Sequence, residues 1–446
     1  MTNRRDFLQT LGYGGAALAG LVACGGGGGG TPSGGGTPGG GGGTGGGGST
    51  PPPANPILVL VQLDGGNDLL DSLVPISGPN AGAYAAARPT LRLGANELSD
   101  LGNGYALSKA FLGMADLHRA GRVAWMPGIG MPNPTLSHFL AMDLWSQGSA
   151  TPAATGWLGR WADAAFDPSG DPLRGISTSG LPLSLQGAAR SFVNIGSPDA
   201  YRFPATRSPW RDVPDPEPLR GGFTDAFKLS LASGPGLKAA LASGKLYDDA
   251  QTQFASLMGT TARTPSVPYP GDRAYPDPDL RDTWVDLAYQ LKFIAEMIAK
   301  NLPTQVFVAN MGGFDTHSNH RRDHALLLKA LGGSLDAFLK DLATVTTSKG
   351  AAADRVLVMG FSEFGRRVHE NNGGTDHGTA GLAFLAGKGV KGGVYSDYPD
   401  LSKLDENGNM KFTTDFRGLY ATVLERWLGA NSKTLLGASY PLLGAI

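Results

Sequence analysis

The sequence predicts an α/β fold, and three observations carry that prediction. Continuous runs of Val, Leu and Ile at Ile57–Leu63, Gln305–Met311 and Arg355–Phe361 read as strands buried on both faces of a parallel sheet. Apolar residues recur at helical spacing over Leu280–Asn301 and Asp323–Thr347. Taken in order, the helix from 280, the strand from 305, the helix from 323 and the strand from 355 contain a βαβ succession, which builds parallel sheets.

The elements follow from the N-terminus onward. Residues 1–24, MTNRRDFLQTLGYGGAALAGLVAC, place paired arginines, Arg4 and Arg5, before an apolar stretch from Leu11 to Ala23. That layout is a secretory signal, and the arginine pair points to the twin-arginine export machinery. The stretch is too short and too glycine-laced for a transmembrane helix, which needs about 20 apolar residues. It ends in Leu21-Val22-Ala23-Cys24, which resembles the lipobox of bacterial lipoproteins. The resemblance implies cleavage before Cys24, lipidation of that residue, and a protein anchored by lipid at the periplasmic face of the envelope or the cell surface. Residues 25–55 hold no charge and only Ala54 among apolar residues, so they are expected to be a disordered linker. A flexible tether of that length has a root-mean-square reach of roughly 30 Å.

Residues 56–446 are then one α/β domain. Arg122–Met126 reads as a fourth, weaker strand after a helical pattern at Leu107–Ala120, and Leu183–Gln186 and Phe192–Ile195 read as further strands. Asp415–Leu428 reads as a shorter helix, and proline-rich Pro204–Pro278 as a loop-and-helix excursion.

Composition narrows the function. The chain has 446 residues with 37 Lys+Arg against 38 Asp+Glu, a formal charge of −1, which argues against a nucleic-acid partner. One cysteine excludes an internal disulfide framework and a cysteine-based zinc site. Of 68 glycines, 18 fall in the linker and 46 in the body, so the body remains glycine-rich without being unusual in class.

Ligands of α/β sheets bind beyond the carboxyl ends of the strands. There the sequence places Asp64-Gly65-Gly66-Asn67-Asp68, then Gly312-Gly313-Phe314-Asp315-Thr316-His317, then Ser362-Glu363-Phe364-Gly365-Arg366-Arg367. A fourth cluster, Gly373-Gly374-Thr375-Asp376-His377-Gly378-Thr379, follows, and five of the seven histidines lie in this last third. Carboxylates and imidazoles gathered from separate strand ends suit a divalent cation. Each piece has a plainer reading: Asp64 and Asp68 as turn or cap residues, the 314–320 segment as a helix cap, His324 as a surface residue, and Glu363 with Arg366 and Arg367 as an ion-pair cluster. With Cys24 consumed, a nucleophile must be an oxygen. Ser137, in Asn133-Pro134-Thr135-Leu136-Ser137-His138-Phe139, opens a helical pattern where the dipole favours an anionic group. Thr135 or Ser137 could equally be an N-cap, and His138 could face the substrate region or simply pack.

The leader, LVLVQLDGGND, SHFLAMDLWSQG, GWLGRWAD, GGFDTHSNH, GFSEFGRRVHENNGGTDHGTAG and GGVYSDYPDL together resemble the domain of unknown function 1501 family, grouped with the alkaline phosphatase and sulfatase superfamily. The resemblance implies an alkaline phosphatase-like α/β/α sandwich with a largely parallel central sheet. It also implies one or two divalent metals (Zn, Mn, Mg or Ca) and hydrolysis of phosphate or sulfate esters. By resemblance, Asp64 is the first-strand metal aspartate, Ser137 the nucleophile with Thr135 as fallback, and Asp315 with His317 a ligand pair. His377 is the late histidine ligand. Glu363 stands where an Asp-His pair is usual, with Asp376 supplying what Phe364 cannot; Asp68 is a further metal candidate, and Arg366 or Arg367 would hold an ester oxygen. That departure motivates an alternative, a catalytically inactive envelope binding or scaffold lipoprotein on the same fold. An oxidoreductase is set aside, since neither a G-x-G-x-x-G after the first strand nor cluster cysteines occur.

Overall fold

The computed structural model describes residues 51–446 apart from 112, 168–170, 190–191, 198–234, 260 and 282–285. Contacts separate one unit of residues 50–220 and 246–446 from another of residues 1–49 and 221–245. Of the latter, only helical backbone from residue 235 is described, so the account below concerns the larger unit. The expected signal, Cys24 and nearly all of the linker lie outside the described residues, as does most of the first half of the excursion from Pro204.

A mixed α/β architecture with a large, mostly parallel central sheet is what the chain forms. In chain order the relevant strands are Ile57–Leu63 (β1), Val123–Gly130 (β2), Gly175–Ser177 (β3), Val193–Asn194 (β4), Val306–Met311 (β5), Val356–Ser362 (β6), Arg366–Asn371 (β7), Gly374–His377 (β8), Gly381–Ala386 (β9), Gly393–Val394 (β10) and Thr414–Asp415 (β11). All but β7 and β8 join one nine-stranded sheet in the order β10-β2-β9-β6-β1-β5-β3-β4, with β11 also on β2. The three strands read most clearly from sequence are adjacent at its centre. β1 pairs in parallel with both β6 and β5, with Leu63 opposite Ser362 and Met311. Their carboxyl ends therefore finish level, and the clusters after them meet.

Alternation along these strands explains why they read as unbroken apolar runs. Val59 and Val61 face one buried cluster and Leu58 and Leu60 the other; Phe307 and Val308 divide likewise. Helices Leu69–Ser72 (α1), His138–Gln147 (α2), Trp157–Ala165 (α3), Asp286–Ala299 (α4), His320–Leu342 (α5) and Phe416–Arg426 (α6) supply much of the rest. Leu287, Leu291, Leu331, Leu335 and Phe338 from α4 and α5 cover the first face, and Trp145, Trp157, Leu419 and Val423 from α2, α3 and α6 cover the second. Full burial of such side chains is worth about 1.5–3 kcal/mol each, which anchors both helical layers. Among the described residues no helix is long and apolar enough to cross a membrane.

Several expectations need correction. Leu107–Ala120 is not one helix: Tyr105–Ser108 is a strand in a separate three-stranded sheet, and the helix is Met114–Arg119. Leu183–Leu185 is a single 3-10 turn rather than a strand. The helix expected to end at Thr347 stops at Leu342, and Thr346–Thr347 pairs with Gly350–Ala351. Gly381–Ala386 went unrecognised. It is the strand that runs antiparallel to both its neighbours, β6 and β2.

Candidate functional site

Where β1 ends, Asp64 is locked by its backbone, its N–H donating to Met311 O (2.9 Å) and its carbonyl accepting from Phe314 N (3.2 Å). Gly65 makes this possible: at φ +119°, a Cβ there would lie 2.3 Å from Asp315 N. Asp64 Oδ2 accepts from Asn310 Nδ2 (2.8 Å), whereas buried Oδ1 has no hydrogen-bond partner. Burial, with the charge of Glu363, pushes the Asp64 carboxyl up to about 6 against the opposing pull of Asn310 and His138.

Glu363, after β6, is buried and fully engaged. Its Oε1 accepts from Gly65 N (2.8 Å) and meets His138 Nδ1 at 2.6 Å, while Oε2 accepts from Ser362 Oγ (2.9 Å) and Gly66 N (3.3 Å). It therefore stands behind His138, orienting that ring and fixing its Nδ1 as the protonated nitrogen. The other nitrogen, His138 Nε2, lies 3.4 Å from Asp315 Oδ2 without forming a hydrogen bond.

Two more imidazoles converge on the same carboxylate. His377, from the β7–β8 hairpin, has Nδ1 2.8 Å from Leu136 O, and a carbonyl can only accept, so Nδ1 carries the proton. His317 has Nδ1 3.2 Å from Asp376 Oδ1, which assigns its proton in the same way. The remaining nitrogens, both Nε2, are 3.0 Å apart, and each is 3.0 Å from Asp315 Oδ1. Three lone pairs thus point at one another with no proton assigned between them. A cation would resolve that arrangement, and the donor chemistry, imidazole nitrogens with carboxylate oxygens, suits one. The ligand atoms offered by His138, Asp315 and His377 all lie within 4.8 Å of one another. These residues fit a divalent metal, and Asp64, at the end of the adjacent strand, carries a buried oxygen with no hydrogen-bond partner.

Arg366 shapes the site from within the protein. Its fully buried guanidinium donates to Gly66 O (2.9 Å), Gly65 O (2.5 Å), Phe314 O (2.9 Å), Thr375 O (2.8 Å) and Asp315 Oδ1 (2.5 Å). Burial works against the charged Asp315 carboxyl, but the hydrogen bond and charge of Arg366, with the neighbouring imidazoles, outweigh it and lower the group to about 2. The aromatic ring of Phe364 sits 4.8 Å from that of His138 and 4.9 Å from that of His377, an apolar wall beside the converging nitrogens.

Of the sequence-derived candidates, Asp315, His317 and His377 come together, and Asp64 offers a free oxygen at the end of the adjacent strand. Glu363 and Asp376 stand one step back, each orienting a histidine. Asp68 is elsewhere: it caps α1 through Leu70 N (2.9 Å) and pairs with Arg88 Nη1 (2.7 Å), fully buried. Arg366, expected to hold an ester oxygen, is fully buried and donates to four backbone carbonyls and Asp315. Ser137 occupies the N-cap position of α2, exposed, yet its hydroxyl makes no capping bond; Thr135 Oγ1 accepts from Ser137 N (3.3 Å). His324, read as a surface residue, is 2% exposed, and burial followed by the charge of His320 pushes it down to about 3. His138 was left open by the sequence; its place, one residue into a helix beside a candidate hydroxyl, was the available signal.

Among curated proteins, none matches the chain in sequence. Two solved structures resemble it weakly: a 2-O GAG sulfatase (14% identity) and a provisionally assigned sulfatase from Bacteroides thetaiotaomicron (15% identity). Each alignment covers 86% of this chain and 75% of the other, with a TM-score of 0.31, too low to carry an argument. Residues 249–437, which contain Asp315, His317, Glu363, Arg366, Asp376 and His377, match the sequence profile of the family DUF1501, described as a protein of unknown function.

Proposed function

We propose that the chain is a metal-dependent hydrolase of phosphate or sulfate esters on an alkaline phosphatase-like α/β/α fold, exported by the twin-arginine route and lipid-anchored at Cys24. The observation that carries this reading is the approach of Asp315 Oδ1, His317 Nε2 and His377 Nε2 to 3.0 Å of one another while both second nitrogens are committed elsewhere. A cation bound there would act as a Lewis acid on an ester oxygen. His138, fixed by Glu363, directs its free nitrogen to the same place, and Asp64 Oδ1 adds an oxygen ligand. The imidazole-rich donor set favours Zn over Mn, Mg or Ca. Ser137 offers the attacking oxygen, its hydroxyl left free of the capping role that serine usually takes at a helix start.

The full chain, purified without chelators, is expected to contain a divalent transition metal by plasma emission and to hydrolyse p-nitrophenyl phosphate or sulfate. Ser137→Ala should lower turnover at least about 100-fold with metal content unchanged, and Asp315→Ala should lose the metal. Absence of metal in wild-type protein, together with no turnover after Zn or Mn is added, would refute the reading. One observation favours the inactive binding protein instead: Arg366 is spent on backbone carbonyls and Asp315, so it is not available to clamp an anionic ester. Metal content without turnover of either ester would select that alternative.

A further inference from the structure

Asp68, Asp71, Arg88 and His320 are buried together, away from solvent and apart from the groups that converge on Asp315. Arg88 Nη1 lies 2.7 Å from Asp68 Oδ2 and 3.2 Å from Asp71 Oδ1. His320 Nε2 lies 3.0 Å from Asp71 Oδ2 and 3.3 Å from Asp68 Oδ2. Two carboxylates against one guanidinium leave a net negative charge, and a doubly protonated His320 brings the buried cluster to neutrality. Its second ring nitrogen, Nδ1, is 2.6 Å from Thr316 Oγ1, and Thr316 Oγ1 in turn donates to Phe314 O at 3.3 Å.

Thr316 sits in the chain between Asp315 and His317, two of the groups proposed to hold the cation. The same pair of residues grips the hairpin that brings His377: Thr375 N donates to Thr316 O (3.2 Å), and His320 N donates to Gly373 O (3.0 Å). Arg88 reaches the other strand of that hairpin, donating to Arg367 O (2.9 Å) and Val368 O (3.0 Å). Asp68 closes the loop that begins at Asp64. Three of the segments that bear converging groups are thus tied to one charge-balanced cluster. A valine at position 316 would fill the same buried volume, so the hydroxyl facing a charged ring is there for direction rather than for packing.

We propose that His320 and Thr316 are positioning residues for the cation site: the His320 ring, held by Asp68 and Asp71, fixes the Thr316 hydroxyl and thereby the spacing of Asp315 and His317. This rests on the reading of the site as a metal centre. The test titrates Co2+ into the full-length protein, freed of metal, and follows both affinity and the visible absorption that reports ligand geometry. Thr316→Val should weaken Co2+ binding about 10–100-fold and alter the spectrum while far-ultraviolet circular dichroism is retained, and Thr316→Ser should restore both. Wild-type affinity and spectrum in Thr316→Val would overturn the proposal while leaving the metal centre standing. A wild-type protein that binds no Co2+ removes the metal reading, and this inference with it. Should Thr316→Val fail to fold, Thr316→Ala is read by the same criteria.

Discussion

Glu363 and His320 illustrate how neighbours, rather than residue type, assign work to a titratable group. Glu363 was legible as a strand-end carboxylate, yet two backbone N–H groups, Ser362 and His138 use its oxygens, so it orients a histidine. No sequence pattern specifies those partners, because Gly65 is 298 positions away. His320 is the converse case, a histidine whose sequence context suggested only a helix start. Burial alone would lower its pKa, but hydrogen bonds and charge from Asp68 and Asp71 raise it from 6.5 to about 9. A raised histidine contributes stability that is fully present below its unfolded value and is lost as pH rises through its folded value. The groups facing it are Asp68, Asp71, neutral His324 and, across the carboxylates, Arg88 and Tyr84, none of which gains a charge near neutral pH. Stability measured by urea unfolding should therefore decline between pH 6.5 and 9, by on the order of 3 kcal/mol in all. His320→Gln should flatten that decline. A slope unchanged by the substitution would contradict the assignment.

At the scale of elements, the central strands and the long helices were readable because their periodicity is strong and their burial is two-sided. β1 was read with its observed bounds, β5 with one extra residue at its start, and β6 displaced by one residue at both ends. The β7–β8 hairpin and β9 were not read as strands. Their segments are short and carry polar or small residues, and the sheet pairing that defines them is long-range for β9 and bulged for the hairpin. Loops between elements depend on glycine where backbones approach closely. Gly65 is one such place; Gly374 is another, where a Cβ would lie 2.1 Å from the His317 carbonyl. Gly65→Ala should destabilise the fold by more than about 2 kcal/mol, through both the positive φ and the clash with Asp315 N. The same variant should lose cation binding, measurable by Co2+ titration, since Asp315 must move to admit the methyl group. Retained affinity would show that the loop after β1 yields without disturbing Asp315.

The leader and tether are expected from composition and lie almost wholly outside the described residues, whereas the class of the body was legible in the sequence and its site only partly so. The proposed anchor is tested by Cys24→Ser, which should shift the exported protein from the membrane fraction to the soluble fraction, with folding of the body unaffected. Retention in the membrane fraction would remove the lipid anchor from the proposal. A further consequence follows from the place of β1, near the start of the body yet paired on both sides with strands that begin some 250 and 300 positions later. During synthesis the ribosome delivers β1 long before either of its neighbours exists. The centre of the sheet, and with it the meeting of Asp64, Asp315 and Glu363, can form only once nearly the entire chain has emerged. Capture of the proposed metal at this site would therefore be a late event, one that waits for the segment bearing His377 to emerge. If export proceeds by the proposed route, which carries folded cargo, the ion's identity would be decided on the side of the membrane where the last strand docks.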